Sequence, residues 1–313
     1  MTRIPTQRGR PSTTRVSGPR TAFVLGGGAS LGAMQAGMLR ALYERGIFPD
    51  FLVATSAGAL NAAFVASRPQ TADTADQLAE VWHELRREQI FPLSLRALLV
   101  GLAGRRDHLV PDRGLRHLLA SHVEFTDVAD AAIPLHVVAF DLSARSEVLF
   151  SQGPALEILT AAASIPGVFP PVRIGERSLV DGGVANNTPI SHAVELGAER
   201  VFVMSTRESQ QAPARMPRGA LATAMDGLCQ LGDARLQLDL DRHSNDVELI
   251  VLPAPNVLGV EPTNFSHSKR LIKESLSATR AFLDHGDGNR AARRELRVVP
   301  PSLETADELP SVA

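Results

Sequence analysis

The sequence lacks several features, and each absence excludes a class of protein. Cys229 is the only cysteine, so the chain cannot form an intrachain disulfide, and a cysteine-based metal site is implausible. No apolar run reaches the roughly 18 residues that would cross a bilayer. These absences favour a reducing compartment, and we expect a cytoplasmic protein that is either soluble or peripheral to a membrane.

An excess of positive charge is also absent. Lys and Arg together number 32 against 34 Asp and Glu, a formal net charge of −2. A nucleic-acid partner would need a strongly basic surface, so we expect none. The basic residues are nearly all arginine, since Lys269 and Lys273 are the only lysines. We attribute this preference for arginine to coding bias in preference to a functional cause.

The two ends of the chain differ in composition from the rest. Residues 1–20 carry arginines but no acidic residue, are rich in Pro, Ser, Thr and Gly, and lack the apolar segment of a signal peptide. They predict a disordered basic arm, with electrostatic attachment to anionic lipid as the alternative. Residues 286–313 have too little apolar content to pack and predict a flexible tail. We expect residues 21–285 to form one domain.

A glycine-rich loop follows the first apolar strand. The strand Thr21–Leu25 runs into Gly26–Gly32, after which apolar residues recur at helical spacing. Such a loop leaves backbone N–H groups open to an anion beside a helix N-terminus. It also resembles a dinucleotide-binding loop, with Asp50 as the acid that would bind a ribose. A tight turn needed only for helix packing is the third interpretation.

A serine ends the second apolar strand, in Ala54-Thr-Ser56-Ala-Gly58. This sequence nearly matches the G-x-S-x-G turn that exposes a nucleophile between a strand and a helix, with Ala54 in place of the first glycine. Small-Ser-small turns also occur purely to pack a helix on a sheet. Because Asp50 precedes this strand instead of ending it, the dinucleotide interpretation is weakened. The glycine loop and Ser56 should lie at the same edge of one parallel sheet.

Further alternations of strands and helices fill the chain as far as residue 285. Residues 71–119 show helical spacing, and within them a leucine stripe over 93–103 predicts either core packing or a cap helix that touches lipid. Strands are predicted at 134–141, 147–150, 177–180, 200–204 and 248–252, and helices at 154–163, 219–241 and 267–284. The stretch 163–172 contains several prolines and predicts a rigid crossing.

An aspartate followed by two glycines ends the strand at 177–180. In Asp181-Gly182-Gly183 the carboxylate would project from a sharp turn, and the glycines would let another group approach closely. The alternative is an Asx-type turn that caps the next helix, which Asn187-Thr-Pro189 could begin.

Taken in order, the glycine loop, the serine turn and Asp181-Gly-Gly resemble the motifs of the patatin-like phospholipase family, over roughly Thr21–Leu252. The resemblance implies a three-layer α/β/α fold with a mostly parallel central sheet. It implies hydrolysis of acyl esters of lipids by a Ser–Asp dyad, with no metal or organic cofactor. The implied roles are nucleophile (Ser56), base (Asp181), oxyanion hole (Gly26, Gly27, Gly28) and support of the motifs (Gly32, Gly58, Gly182, Gly183).

The sequence departs from the family at two positions. Leu31 stands where the family usually has Arg or Lys, and Ala54 replaces the first glycine of the turn. These departures motivate a second hypothesis, a catalytically silent protein that binds acyl lipids or acts as a scaffold. A dinucleotide-binding oxidoreductase that uses loop 26–32 is a weaker third hypothesis.

A histidine-containing triad is the rival mechanism. The α/β-hydrolase order would place the histidine after the acid, and four histidines satisfy this order without a local signature: His192, His243, His267 and His285. Asp141 is the rival acid because it also ends a strand. A dyad instead requires Asp181 to be at least partly buried and within direct or single-water hydrogen-bond reach of Ser56.

Overall fold

Eight strands form one sheet, and two strands made entirely of buried residues lie side by side near its centre. The structure is a computed structural model, and it describes residues 18–92, 107–207, 220–255 and 260–285. The strands are β1 (Thr21–Leu25), β2 (Phe51–Thr55), β3 (Leu135–Asp141), β4 (Ser146–Phe150), β5 (Val172–Ile174), β6 (Arg177–Asp181), β7 (Arg200–Met204) and β8 (Glu248–Val251).

Nine α-helices are described around this sheet. They are α1 (Met34–Tyr43), α2 (Ala57–Ala66), α3 (Ala72–Glu84), α4 (Arg87–Ile90), α5 (Arg113–His122), α6 (Ala155–Ala162), α7 (Ile190–Glu195), α8 (Ala220–His243) and α9 (Ser268–Asp284). Short 3₁₀ helices lie at Ala29–Ala33, Val128–Asp130, Gly182–Val184 and Phe265–His267. None of the described helices has both the length and the apolar character needed to cross a membrane.

The parallel part of the sheet runs β3, β2, β1, β7, β8, in that order of pairing. Every residue of β1 and β2 is buried, as expected for parallel strands covered on both faces. Alternate residues of β1 point to opposite faces: Phe23 and Leu25 pack with α1, α2 and α3, whereas Ala22 and Val24 pack with α7 and α8. The predicted three-layer α/β/α fold is therefore confirmed.

Strand β3 brings the ends of two other strands together. Its antiparallel partner β4 occupies one edge over residues 137–141. The other edge carries β2 along residues 135–138 and then β6 along residues 139–141. Thr55 pairs with Val138 and Asp181 with the next residue, Ala139, so the carboxyl ends of β2 and β6 meet head-on.

Most predicted elements are found within a few residues of their predicted bounds, and one strand was missed. Strand β5 begins at Val172, the last residue of the stretch 163–172 that the sequence predicted as a rigid crossing. This strand has three residues and pairs antiparallel with β6 across a turn at Gly175, where φ is 61°. The leucine stripe at 93–103, most of the predicted basic arm and the predicted C-terminal tail lie outside the described residues.

Helix α2 crosses very close to the end of β1. A Cβ added at Gly58 would clash with the backbone carbonyls of Leu25 and Gly26. Backbone atoms held in a buried sheet cannot move aside as a flexible side chain can. The space available thus explains the glycine that follows the serine turn.

We therefore expect Gly58→Ala to lower the free energy of unfolding by about 1–3 kcal/mol, the usual cost of overpacking a core. Gly227→Ala is the matched control, because Gly227 lies in helix α8 with nothing within 4 Å of an added Cβ. The control should keep or slightly raise stability, since alanine is the better helix former. Thermal unfolding measures both, and equal melting temperatures for the two variants would contradict the packing argument.

Candidate active site

Ser56 lies on a sharp turn between β2 and α2. Its backbone has φ 55° and ψ −130°, a conformation that is uncommon for a residue with a side chain. Its N–H donates to the Ala162 carbonyl at 3.1 Å, and its own carbonyl accepts from the Ala59 N–H at 2.9 Å. These contacts hold the turn from both sides. The hydroxyl therefore projects from the carboxyl end of the sheet, as the sequence predicted.

Asp181 ends β6 and contacts Ser56 directly. The Ser56 hydroxyl donates to Asp181 Oδ2 at 2.6 Å, and the Gly183 N–H donates to Asp181 Oδ1 at 2.8 Å. The contact with Gly183 is the Asx-type turn that the sequence offered as an alternative to an active-site role. The same carboxylate makes this contact and the contact with Ser56. Asp181 is 5% exposed and Ser56 is 8% exposed. The predicted burial and hydrogen-bond distance are both found.

Burial raises the pKa of Asp181 from 3.8 to about 6, although the Ser56 hydroxyl and the Gly183 N–H favour the ionised form and oppose the rise. A carboxylate of this pKa is ionised near neutral pH and is more basic than an exposed one. It is therefore suited to accept a proton from the hydroxyl beside it.

The glycine loop lies beside Ser56, but not all of its N–H groups are free. Gly26 N–H donates to the Met204 carbonyl at 3.2 Å, and Gly27 N–H donates to the Asn187 carbonyl at 3.0 Å. Within the part of the chain that the structure describes, the N–H groups of Gly28 and Ala29 have no acceptor. Ala29 has a positive φ of 50°, the second such non-glycine residue at this site. The structure thus leaves only part of the predicted donor set available.

The carbonyl groups of the same loop are occupied. Gly26 O accepts from Gln35 Nε2 at 2.8 Å, Gly27 O accepts from the Thr206 hydroxyl at 2.6 Å, and Gly28 O accepts from Leu31 N–H at 3.0 Å. Each contact fixes the orientation of one peptide group. All three carbonyl groups thus have a donor, and of these residues only Gly28 keeps an N–H group that has no acceptor among the described residues.

A buried chain of polar side chains supports Gln35. Trp82 Nε1 donates to Asn61 Oδ1 at 2.9 Å, and Asn61 Nδ2 donates to Gln35 Oε1 at 2.8 Å and to Gly32 O at 2.9 Å. All the amide groups in this chain have partners, which makes a buried network rigid. Neither Gln35 nor Asn61 could be predicted from a local motif, because their contacts come from separate helices.

Asn187 is a further residue of the site that was not predicted from the sequence. Its carbonyl accepts from Gly27, and its side chain lies where a Cβ at Gly27 or Gly183 would fall. It therefore fits between the glycine loop and the turn after Asp181. Its position in Gly-Gly-Val-Ala-Asn-Asn, just after the acid, is the only signal that the sequence offers.

The remaining motif glycines allow close packing. A Cβ at Gly27 would lie 2.8 Å from Ser56 Cβ, and one at Gly32 would lie 2.9 Å from Ala57 Cβ. One at Gly182 would lie 2.5 Å from the Val138 carbonyl oxygen, so the turn after Asp181 presses against β3. Side chains at these positions would push apart the loop, the serine turn and β6.

A cavity opens beside Ser56, and about 750 Å³ of space lies within its walls and its open mouth. Nearly all of its lining side chains are apolar, which suits a hydrocarbon. The lining residues are Ala29, Ser56, Ala57, Leu60, Asn61, Phe64, Leu78, Val81, Trp82, Leu85, Ile90, Phe91, Leu115, Leu118, Leu119, His122, Val123, Ala163, Ile165, Phe169 and Phe265.

Three of the four rival histidines have other partners. His192 contacts Glu147 and Glu195 at 3.2 Å each, His243 contacts Asp246, His285 contacts the Ala281 carbonyl, and His267 precedes α9. No hydrogen bond joins any of them to Ser56 or Asp181 among the described residues. The structure therefore does not assemble the triad that was considered as a rival.

The rival acids are also placed elsewhere. Asp141 caps the turn between β3 and β4, where it accepts from the N–H groups of Ser143 and Ala144. Asp50 accepts a hydrogen bond from the Thr21 N–H at 2.8 Å, at the start of β1. The glycine loop follows the other end of this strand, so the two lie at opposite ends of β1. The proposed ribose contact by Asp50 is wrong for this reason. Among the described residues, no group of three or more His, Cys, Asp or Glu could hold a metal ion.

The two departures from the family motifs lie in the core. Leu31 is 3% exposed and Ala54 is fully buried in β2. Neither side chain lines the cavity. Neither removes one of the hydrogen bonds described above.

Comparison with known proteins gives a family match over more than half of the chain. The model of one family, described as Patatin-like phospholipase, matches residues 23–194. An uncharacterized NTE family protein of Mycobacterium tuberculosis is 28% identical over 208 residues, which cover 66% of this chain and 55% of that protein. Patatin-like phospholipase domain-containing protein 7 of Mus musculus is 28% identical over 197 residues, covering 60% of this chain and 14% of that protein.

Two further similarities are more distant. A lysophospholipase of Mycosarcoma maydis is 26% identical over 197 residues, covering 61% of this chain and 10% of that protein. The solved structure of VipD from Legionella pneumophila has a TM-score of 0.43 at 13% identity, covering 85% of this chain and 66% of that one. The chain thus spans about half or less of the length of these three curated relatives.

The raised pKa of Asp181 predicts that Asp181→Asn stabilises the protein above about pH 6. The folded state holds this proton more tightly than the unfolded chain, so wild-type stability falls as the pH rises from about 4 through 6, by about 3 kcal/mol for a shift from 3.8 to about 6. Asparagine cannot ionise and keeps the shape of the side chain. Thermal unfolding against pH should show the variant more stable near pH 8 and the difference vanishing near pH 4; a constant difference would contradict it.

Proposed function

The chain belongs to the patatin-like phospholipase family, and from that membership we propose that it is a serine acyl hydrolase that cleaves carboxylic esters of lipids. The family resemblance seen in the sequence is confirmed. The observation that carries the proposal is the 2.6 Å hydrogen bond from the Ser56 hydroxyl to the buried Asp181 carboxylate, beside an apolar cavity. The relatives described as phospholipases or a lysophospholipase point to the same substrate class.

The first half of the reaction forms an acyl-enzyme. Ser56 Oγ attacks the ester carbonyl carbon while its proton moves to Asp181 Oδ2, the atom that already accepts it. The tetrahedral intermediate then collapses, the bond to the leaving alkoxide breaks, and the proton on Asp181 passes to that oxygen. The alcohol leaves and the acyl group stays on Ser56.

The second half repeats these steps with water. Asp181 takes a proton from the water as it attacks the acyl carbon, and it returns the proton to Ser56 Oγ as the acyl bond breaks. The products are a carboxylic acid and the free enzyme. One carboxylate thus acts as base and acid in turn, without metal or organic cofactor.

The oxyanion that forms in both halves needs hydrogen-bond donors. We assign this role to the N–H groups of Gly28 and Ala29, which have no acceptor among the described residues. Gly26 and Gly27, which the sequence also suggested, already donate to Met204 and Asn187. Preorganised donors of this kind are worth about 3–4 kcal/mol each in the transition state. Gly26 and Gly27 would instead shape the loop.

The silent lipid-binding alternative rests on Leu31 and Ala54, and neither side chain lines the cavity; Leu31 contacts the glycine loop through its backbone N–H alone. It shares the cavity and the fold with the proposed enzyme. It differs in what it predicts for Ser56, since a binding protein would not need a reactive hydroxyl. The experiment below therefore separates the two.

Ser56→Ala should reduce hydrolysis of a short-chain p-nitrophenyl ester by a factor of about 10³ or more, because it removes the nucleophile. A fluorophosphonate should label wild type at Ser56, as mass spectrometry of the digested adduct would show. Ser244→Ala is the matched control, since Ser244 is exposed beyond α8, and it should retain full activity. Wild type without activity or adduct would favour the silent alternative, and an adduct on another serine would overturn the assignment.

The activity should depend on pH through Asp181. The ionised carboxylate is the active form, so kcat/KM should rise with pH, with an apparent pKa of about 6, and level off above it. Asp181→Asn should remove this dependence along with most of the activity, while Asp141→Asn should leave the profile unchanged. A profile that falls above pH 6 would contradict the role of Asp181 as base.

A further inference from the structure

One face of helix α2 lines the cavity for most of the helix. Ser56 precedes the helix, and Ala57, Leu60, Asn61 and Phe64 all line the cavity. Their spacing places them in one row along the helix. The cavity therefore runs lengthwise beside α2, away from the hydroxyl that would carry the acyl group.

At the far end of this row, Phe64 of α2 meets His122 of α5, and we call this pair the wall of the cavity. The ring of Phe64 lies 6.1 Å from the ring of His122, centre to centre. The Arg68 guanidinium lies 3.9 Å from the centre of the Phe64 ring, and it donates to the carbonyls of Phe64 at 3.0 Å and His122 at 2.9 Å. Arg68 also pairs with Glu124 at 2.9 Å. These contacts tie together the ends of two helices.

The wall presents no charge to the cavity from His122. Burial, together with the nearby Arg68 cation, lowers the pKa of His122. The imidazole is therefore neutral near pH 7. A neutral ring beside the Phe64 ring can pack against the methyl end of a hydrocarbon chain.

The distance from the nucleophile to the wall follows from helix geometry. Phe64 is eight residues beyond Ser56, which corresponds to about 12 Å along the helix axis at about 1.5 Å per residue. A staggered hydrocarbon chain advances about 1.25 Å per carbon, given C–C bonds of about 1.5 Å. The rise from Ser56 to Phe64 thus equals the length of an extended chain of about ten carbons.

We propose that this cavity measures the acyl chain, and that it accepts chains of about eight to ten carbons and stops longer ones at Phe64 and His122. The inference rests on the proposed function, because it takes the chain to be held by Ser56 as an ester. It defines the substrate class as lipids or esters with medium-length acyl groups.

The test compares p-nitrophenyl esters of increasing chain length at one detergent concentration. For wild type, kcat/KM should rise from acetate to octanoate or decanoate and fall about tenfold at palmitate. Phe64→Leu and His122→Ala each remove part of the wall, so each should move the optimum to longer chains. Phe48→Leu is the matched control, because Phe48 is exposed and does not line the cavity, and its profile should match wild type.

A binding measurement separates this inference from the proposed function. Displacement of a fluorescent fatty acid from Ser56→Ala should show the same length limit without any hydrolysis, and Phe64→Leu in that background should relax it. If no ester is hydrolysed but the length limit appears in binding, the proposed hydrolase activity is wrong and the proposed chain-length limit is supported. If esters are hydrolysed in a Ser56-dependent way with activity still rising at palmitate, or if both wall variants keep the wild-type profile, the measuring cavity is wrong.

Discussion

The contact between Ser56 and Asp181 depends on how one strand shares its edge. Strand β3 pairs first with β2 and then with β6 along the same edge, so the last residues of these strands meet. A slip of one residue in the pairing of β6 would turn Asp181 to the other face of the sheet. The register of a three-residue ladder therefore decides whether a hydroxyl and a carboxylate lie 2.6 Å apart or do not meet at all.

The same arrangement favours pairing of the polar side chains beside the glycine loop. A buried carboxylate of raised pKa costs stability near neutral pH, so other unpaired groups nearby would add to that cost. Gln35, Asn61 and Trp82 satisfy one another and hold the carbonyls of the glycine loop. Among the described residues, the N–H groups of Gly28 and Ala29 are left without an acceptor, which is what a site that must receive an oxyanion requires.

The sequence predicted the strands and the order of the motifs, because apolar runs and glycines act locally. It predicted Ser56 beside Asp181 only through the family resemblance, since the two residues lie far apart in the chain and meet through β3. The sequence did not predict β5, a strand of three residues. It also could not show that the N–H groups of Gly26 and Gly27 donate to the carbonyls of Met204 and Asn187. Such pairing depends on the tertiary structure, and no local pattern encodes it.

Helix α2 connects the proposed chemistry to the proposed choice of substrate. Its first turn begins at Ser56, and its cavity face ends at Phe64, where Arg68 ties it to α5. Because a helix has a fixed rise per residue, the distance between Ser56 and Phe64 along the helix cannot change without breaking backbone hydrogen bonds. A different chain-length limit must therefore come from the size of the side chains at the wall. The backbone that positions the nucleophile can stay as it is.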